Sequence, residues 1–156
     1  MKNGIRLPVG TEALILSKLY YGALSKNLEK LEIERYYSVL MFLYHHNGCC
    51  QQVICDNLRI DKTAMVKVLD YLSKANCIER KVNAGDRREH FIYLSKKGIK
   101  YSKEIIKTFG ELDQKAFGTI TENEKKVFRK VLHHLSDNLK VLPSNDLFFN
   151  YKKTKK

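Results

Sequence analysis

Apolar side chains recur every three or four positions through much of the chain, which is the spacing of one helix face. The pattern predicts a helix over 11–30 and a second over 34–46. Asn47 and Gly48 end the second helix, because both residues tolerate the left-handed backbone. The apolar faces of the two helices are formed by Leu16, Leu19, Tyr20, Ala23, Leu24 and Leu28, then by Tyr36, Leu40, Leu43 and Tyr44.

Two shorter helices follow, joined by a tight turn. The first spans about Gln51 to Leu58, and Asp61 is placed to cap the second, which runs to about Ala75. Asn76 then occupies the C-terminal position, for which it is the best non-glycine residue. The inward positions of the second helix are Met65, Val68, Leu69 and Leu72.

After residue 76 the apolar side chains no longer follow helical spacing, and the next two segments fit the strands of a β-hairpin. Residues 77–82 and 91–94 are short and rich in β-branched or aromatic side chains, and turn-forming residues 83–86 separate them. The sequence therefore predicts two strands joined by a basic tip.

Two longer helices complete the pattern. Ser95 is placed to cap a helix from Lys96 to about Phe117. Thr121 and Glu124 have the spacing of a capping box, which predicts a last helix over about 122–140. Its inward positions are Val127, Val131, Leu132, Leu135 and Leu139.

Composition narrows the class of protein. A chain of 156 residues with 44% apolar content can fill one core, which excludes general disorder. We find no apolar run near the roughly 18 residues of a membrane span, and no signal peptide. The chain is therefore expected in the cytoplasm, without a membrane partner. The excess of 29 Lys and Arg over 17 Asp and Glu gives a net charge of +12, which favours nucleic acid or, second, an anionic membrane surface.

Two short helices, a tight turn and a basic hairpin together predict a winged helix-turn-helix. The segment 58–72 resembles the recognition segment of the MarR family of bacterial transcription regulators. The resemblance covers about residues 11–142. Four later elements continue that family's pattern in order and spacing, namely Ile78-Glu79-Arg80, Gly85-Asp86-Arg87-Arg88, Leu94-Ser95-Lys96-Lys97-Gly98 and Ile120-Thr121-Glu122-Asn123-Glu124.

The resemblance implies a mainly α fold with a small β-hairpin wing. We expect a single domain over 1–142, with the winged helix-turn-helix at about 34–95 and a basic C-terminal tail at 143–156. The helices at about 11–30 and 96–140 are longer and more apolar than a winged-helix core needs, and the family buries such helices against a second copy. A homodimer is therefore expected, and a monomer with a larger core is the alternative.

The implied function is that of a dimeric, sequence-specific regulator of transcription that binds double-stranded DNA. By family habit it would be a repressor released by a small-molecule ligand. Two alternatives stay open: a winged helix used for protein–protein assembly, and a thiol- or metal-sensing regulator. No phosphate-binding glycine loop or nucleophile elbow is present in the sequence, so neither an enzyme nor a cofactor is expected.

The first residues of a recognition helix lie nearest the base edges of the major groove. Lysines there can donate to guanine or to phosphate, or they can form only a solvated basic face. The family usually carries polar residues where Ala64 and Val66 stand, so this chain has fewer hydrogen-bonding side chains and its target sequence stays open. The expected contacts in this helix are Lys62, Thr63, Ala64, Val66 and Lys67.

The hairpin tip carries the second set of candidate DNA contacts. In the family pattern the arginine two residues after the aspartate enters the minor groove and the aspartate holds it, which maps onto Arg88 and Asp86. A narrow A·T-rich minor groove attracts such an arginine, and Arg87 would reach phosphate. The alternative is an ordinary surface ion pair.

The family often holds an aromatic or phenolic effector between the dimerisation helices and the DNA-binding lobe. Tyr20, Tyr36, Tyr37 and His45 are candidates to line such a site, although aromatics at helical spacing also serve as core.

The alternative sensor would use Cys49 and Cys50, expected in a loop beside His45 and His46. A reactive thiol needs a lowered pKa, which a nearby imidazolium or helix N-terminus can supply. Cys55 and Cys77 are expected to be inert packing residues. No C-x-x-C pair exists, so no metal site is assigned.

Overall fold

The computed structural model describes residues 6–31, 33, 36–83, 85 and 90–143. Its elements confirm a mainly helical chain with a winged helix-turn-helix. The helices are α1 (Val9–Asn27), α2 (Tyr37–His45), α3 (Gln51–Leu58), α4 (Lys62–Lys74), α5 (Lys96–Phe117) and α6 (Glu122–Lys140), with a 3₁₀ turn at Glu29–Leu31. The strands are β1 (Cys49–Cys50), β2 (Ile78–Val82) and β3 (His90–Leu94).

The sheet has three antiparallel strands in the order β1-β3-β2. Ile78 pairs with Leu94 and Val82 with His90, which confirms the predicted hairpin. The third strand corrects the loop predicted for Cys49 and Cys50, because these two residues pair with β3. Two residues are too few to show the alternation that identifies a strand.

Polar caps set the starts of three helices, as predicted. The Asp61 carboxylate accepts from the backbone N–H of Ala64 at 2.8 Å. The Ser95 hydroxyl accepts from the N–H of Gly98 at 3.0 Å. Thr121 and Glu124 form the reciprocal capping box of α6. Asn76 adopts a positive φ of 56° just after α4, also as predicted.

The core lies where α2, α3, α4, the sheet and the first half of α5 meet. Met65, Val68, Leu69 and Leu72 of α4 are all buried, as predicted. The other buried apolar residues are Leu24, Leu28, Ile33, Tyr37, Val39, Leu40, Leu43, Ile54, Cys55, Cys77, Ile78, Ile92, Leu94 and Ile105. In α2, Tyr37 and Val39 are buried, whereas Tyr44, which shares the apolar spacing, is exposed.

The outer helices leave most of their apolar positions exposed, which corrects the inward positions predicted for α6. Of the apolar face predicted for α1, only Leu24 and Leu28 are buried, and Leu19 is 70% exposed. Helix α6 buries no residue at all. It touches the end of α5 through the rings of Phe117 and Phe128, whose centroids lie 6.1 Å apart. The apolar periodicity of α1 and α6 is present, but the described residues of a single chain leave these faces exposed.

Within the described residues, no helix is both long enough and apolar enough to cross a bilayer.

Candidate nucleic-acid interface

The turn between α3 and α4 fixes how α4 is presented. Arg59 takes a left-handed conformation with φ of 53° and ends α3. Asp61 then caps α4. The side-chain amide of Gln51 donates to the carbonyl oxygen of Lys62 at 3.3 Å, which joins the start of α3 to the start of α4. The first turn of α4 is therefore fixed by the Asp61 cap and by the hydrogen bond from α3.

Helix α4 has one buried and one exposed face. Its four large buried side chains point to the core, and Lys62, Thr63, Val66 and Lys67 are exposed on the other side. Ala64 is only half-buried, and its backbone N–H is used by the cap. Four of the five predicted recognition-helix residues thus lie together on an accessible, positively charged face.

An ion pair ties the wing to this helix. The Arg80 guanidinium on β2 donates to the Asp70 carboxylate on α4 at 2.6 Å, and both side chains are partly exposed. Because an isolated surface pair contributes about 1 kcal/mol or less, its main effect is to orient the two side chains. This pair was not predicted from the sequence, since the positions of its members follow no helical or strand spacing.

The wing tip follows directly on β2. The side-chain oxygen of Asn83 accepts from the backbone N–H of Gly85 at 2.9 Å, which closes a turn at the start of the loop. The Nζ of Lys81, in β2, lies 4.8 Å from the ring centre of Tyr93 in β3. The candidate contacts Asp86, Arg87 and Arg88 lie outside the described residues.

Comparison with known proteins gives matches of sequence and of fold. The model of the MarR family matches residues 31–89. The uncharacterized HTH-type transcriptional regulator YwhA of Bacillus subtilis strain 168 is 29% identical over 98 residues, covering 63% of this chain and 70% of YwhA. Over residues 31–89 the chain is therefore similar to the MarR family. The matched residues include α3, α4 and β2 and extend to residue 89, so they contain every candidate DNA contact.

Solved structures of MarR-family proteins share the fold over most of the chain. A MarR protein from Peptoclostridium difficile has a TM-score of 0.81 at 20% identity, covering 90% of this chain and 92% of that one. The S. aureus MepR–DNA complex has a TM-score of 0.76 at 23% identity, covering 88% of this chain and 100% of that one. At 20% and 23% identity, these similarities establish that the chain has the same fold as these proteins.

The four aromatic candidates for a MarR-type effector site lie in different surroundings. Tyr20 donates from its hydroxyl to the Asp113 carboxylate of α5 at 2.6 Å and lies against the Phe109 ring. Burial, and then the Asp113 hydrogen bond, raise the Tyr20 pKa above its ordinary value of 10. The rings of Tyr36 and Tyr71, the latter in α4, meet edge to face at 5.1 Å.

The other two candidates differ in burial. Tyr37 is buried, and its hydroxyl donates to the carbonyl oxygen of Ile33 at 3.4 Å. His45 is exposed at the end of α2, where its ring meets that of Tyr44. The effector role of all four residues stays a prediction.

The cysteines have the environment of ordinary thiols. Cys55 and Cys77 are buried, and burial raises the pKa of both. Burial also raises the pKa of Cys49, which is half-exposed, as is Cys50. Within the described ranges, no three His, Cys, Asp or Glu side chains converge on a metal-sized site. The thiol-sensing alternative is therefore not supported by a lowered pKa at Cys49. The metal-sensing alternative is not supported by a set of metal ligands among the described residues.

Proposed function

We propose that this chain is a homodimeric, sequence-specific DNA-binding regulator of transcription. In this proposal α4 of each subunit enters the major groove of a duplex, and the wing tip approaches the neighbouring minor groove. One observation carries the proposal: α4 exposes Lys62, Thr63, Val66 and Lys67 on one face, within a helix-turn-helix that the family model covers. The MepR structure, solved with DNA, shares this fold.

The exposed apolar faces of α1 and α6 support the homodimer. Leu16 and Leu19 of α1 are exposed, as are Val131 and Leu139 of α6. Apolar surface of this extent on long helices is typical of a subunit interface. A second copy covering both helices would bury it, and two-fold symmetry would set two copies of α4 side by side along one duplex.

The proposal extends to repression relieved by a small aromatic effector. What supports this part is an aromatic cluster between α1 and α5, in which the Tyr20, Tyr21 and Phe109 rings lie within 6.4 Å of one another. A planar phenolic compound could stack on such rings. A thermal-shift screen of phenolic compounds tests it, and a compound that raises the melting temperature should also release DNA.

DNA binding is tested with duplexes selected from a random library. A Lys62→Ala/Lys67→Ala variant is expected to bind about tenfold or more weakly, and the salt dependence of its affinity should be shallower by about one for each phosphate that is no longer neutralised. Lys115→Ala is the matched control, because Lys115 is exposed near the far end of α5. The proposal fails if no duplex is bound, or if the double variant binds as tightly as the wild type.

The wing is tested separately by Arg88→Ala. We expect this variant to lose affinity for every selected duplex, since a minor-groove arginine and the phosphates around it contribute whatever the sequence. Unchanged affinity in a gel-shift titration would remove the wing from the proposed interface and leave the role of α4 standing.

The protein-assembly alternative predicts a different result from the same materials. If the exposed face of α4 binds an acidic protein, the wild type should select no preferred duplex sequence from the library. Enrichment of a defined sequence excludes that alternative.

A further inference from the structure

We infer that Val66 is a specificity-determining residue, and that it reads the methyl group of a thymine in the major groove. The methyl group of Thr63, one turn earlier on the same face, extends the same apolar contact. The inference rests on the proposed DNA binding and adds the base that each half-site must present.

The position of Val66 separates it from the apolar residues that α4 turns to the core. Met65, Val68, Leu69 and Leu72 are at most 2% exposed, whereas Val66 is 44% exposed. An isolated exposed valine needs no explanation by itself. This one lies on the second turn of the helix between Lys62 and Lys67, both exposed, so it sits inside the charged surface that a polyanion would cover.

The other side chains of that face leave few ways to recognise a base. Helix α4 contains no Asn, Gln or Arg, the side chains that form bidentate hydrogen bonds to adenine or guanine. The Asp70 carboxylate, which could accept from cytosine, is already bound by Arg80 at 2.6 Å. Lys62 and Lys67 offer point charges without the planar shape that fixes a base pair.

The chemistry of the groove supplies a partner for Val66. The thymine methyl group is the apolar feature that thymine adds to the major-groove edge, and it marks one strand of one base pair. Packing Val66 against it removes both groups from water, and the lysines on either side supply attraction to the phosphates. We therefore expect a thymine at a fixed position in each half-site.

The experiment uses the tightest duplexes selected from a random library by the full-length wild-type protein. Each thymine of one duplex is replaced in turn by deoxyuridine, which removes only the methyl group and keeps every Watson–Crick hydrogen bond. One position per half-site should weaken wild-type binding about fourfold, the value of one buried methyl group. Val66→Ala should bind the original duplex more weakly and lose sensitivity to the methyl group at that position only.

Val53→Ala is the matched control, since Val53 is 40% exposed on α3, the helix that crosses the DNA backbone in this motif. It should keep the full methyl sensitivity. The inference is overturned if no deoxyuridine changes wild-type affinity, or if Val66→Ala responds to every deoxyuridine as the wild type does; DNA binding itself would then stand. Failure to bind any duplex would instead overturn the proposed function.

Discussion

Tyr20 is a partly buried side chain that both packs against a neighbouring ring and forms a hydrogen bond between two helices. Its hydroxyl joins α1 to Asp113 of α5, and its ring lies beside Phe109. A tyrosine with a raised pKa keeps its proton to higher pH in the folded than in the unfolded chain. Its contribution to stability is therefore complete below pH 10 and declines as the pH rises above that value.

Tyr20→Phe tests this contact. At neutral pH we expect the variant to lose about 1 kcal/mol of unfolding free energy, because Asp113 loses a hydrogen-bond donor. The difference from the wild type should stay constant from about pH 8 to about pH 10 and shrink as the pH rises from about 10 to about 11. Urea unfolding at several pH values measures it. A difference that stays constant above pH 10 would contradict the assigned hydrogen bond.

The cysteines allow a second residue-level prediction. The thiolate is the reactive form of cysteine, and burial raises the pKa of Cys49, Cys55 and Cys77. In the folded protein at neutral pH, iodoacetamide should label these three more slowly than in urea, as followed by mass spectrometry. Rapid labelling or peroxide oxidation of folded Cys49 would instead favour the Cys49/Cys50 sensor.

The sequence predicts those features of a residue that depend only on residues close to it along the chain. Asp61 and Asn76 were predicted correctly because capping and left-handed backbone are local properties. The pair between Arg80 and Asp70 was missed because it depends on how β2 crosses α4, which is a property of the fold.

At the scale of elements, hydrophobic period and capping residues predicted all four helices from α3 to α6 closely. Strand β1 was not predicted, because two residues are too few to show strand alternation and their conformation depends on pairing with β3. The sequence also does not show that the first turn of α5 lies against the backbone just before β2. A Cβ added at Gly98 would lie 1.9 Å from the carbonyl oxygen of Cys77.

Gly98→Ala is therefore expected to destabilise the protein by about 3 kcal/mol or more, since the helix must move away from the backbone before β2. Gly110→Ala is the control in the same helix, because nothing lies within 4 Å of its added Cβ. There the higher helix propensity of alanine should stabilise the protein by up to about 1 kcal/mol. Thermal unfolding of both variants measures the contrast, and equal melting temperatures would contradict the packing at Gly98.

At the scale of the whole molecule, the chain divides into a packed lobe and two helices with uncovered apolar faces. The sequence predicts apolar faces on these helices and, through the family resemblance, a second copy that buries them. Leu19 is 70% exposed and α6 has no buried residue, so the part of the chain that the structure describes does not bury these faces. A pattern records that a face avoids water, and it does not record whether the same chain or a second copy covers it.

Val131→Glu tests the proposed interface. A charge on the apolar face of α6 is expected to convert a dimer to a monomer in sedimentation velocity, because the carboxylate would be buried unpaired. His133→Glu is the control, since residues two apart lie on different sides of a helix. A wild-type monomer, or a Val131→Glu variant that remains dimeric, would contradict the proposed interface.

The most direct test of the central claim is a footprint of the wild-type protein on the tightest selected duplex. Two copies of α4 on one duplex should protect two half-sites related by two-fold symmetry, with centres about one helical turn, or about 10 base pairs, apart. The guanine and phosphate contacts should lie on one side of the duplex. A single protected segment without symmetry, or uniform protection along the DNA, would contradict the account.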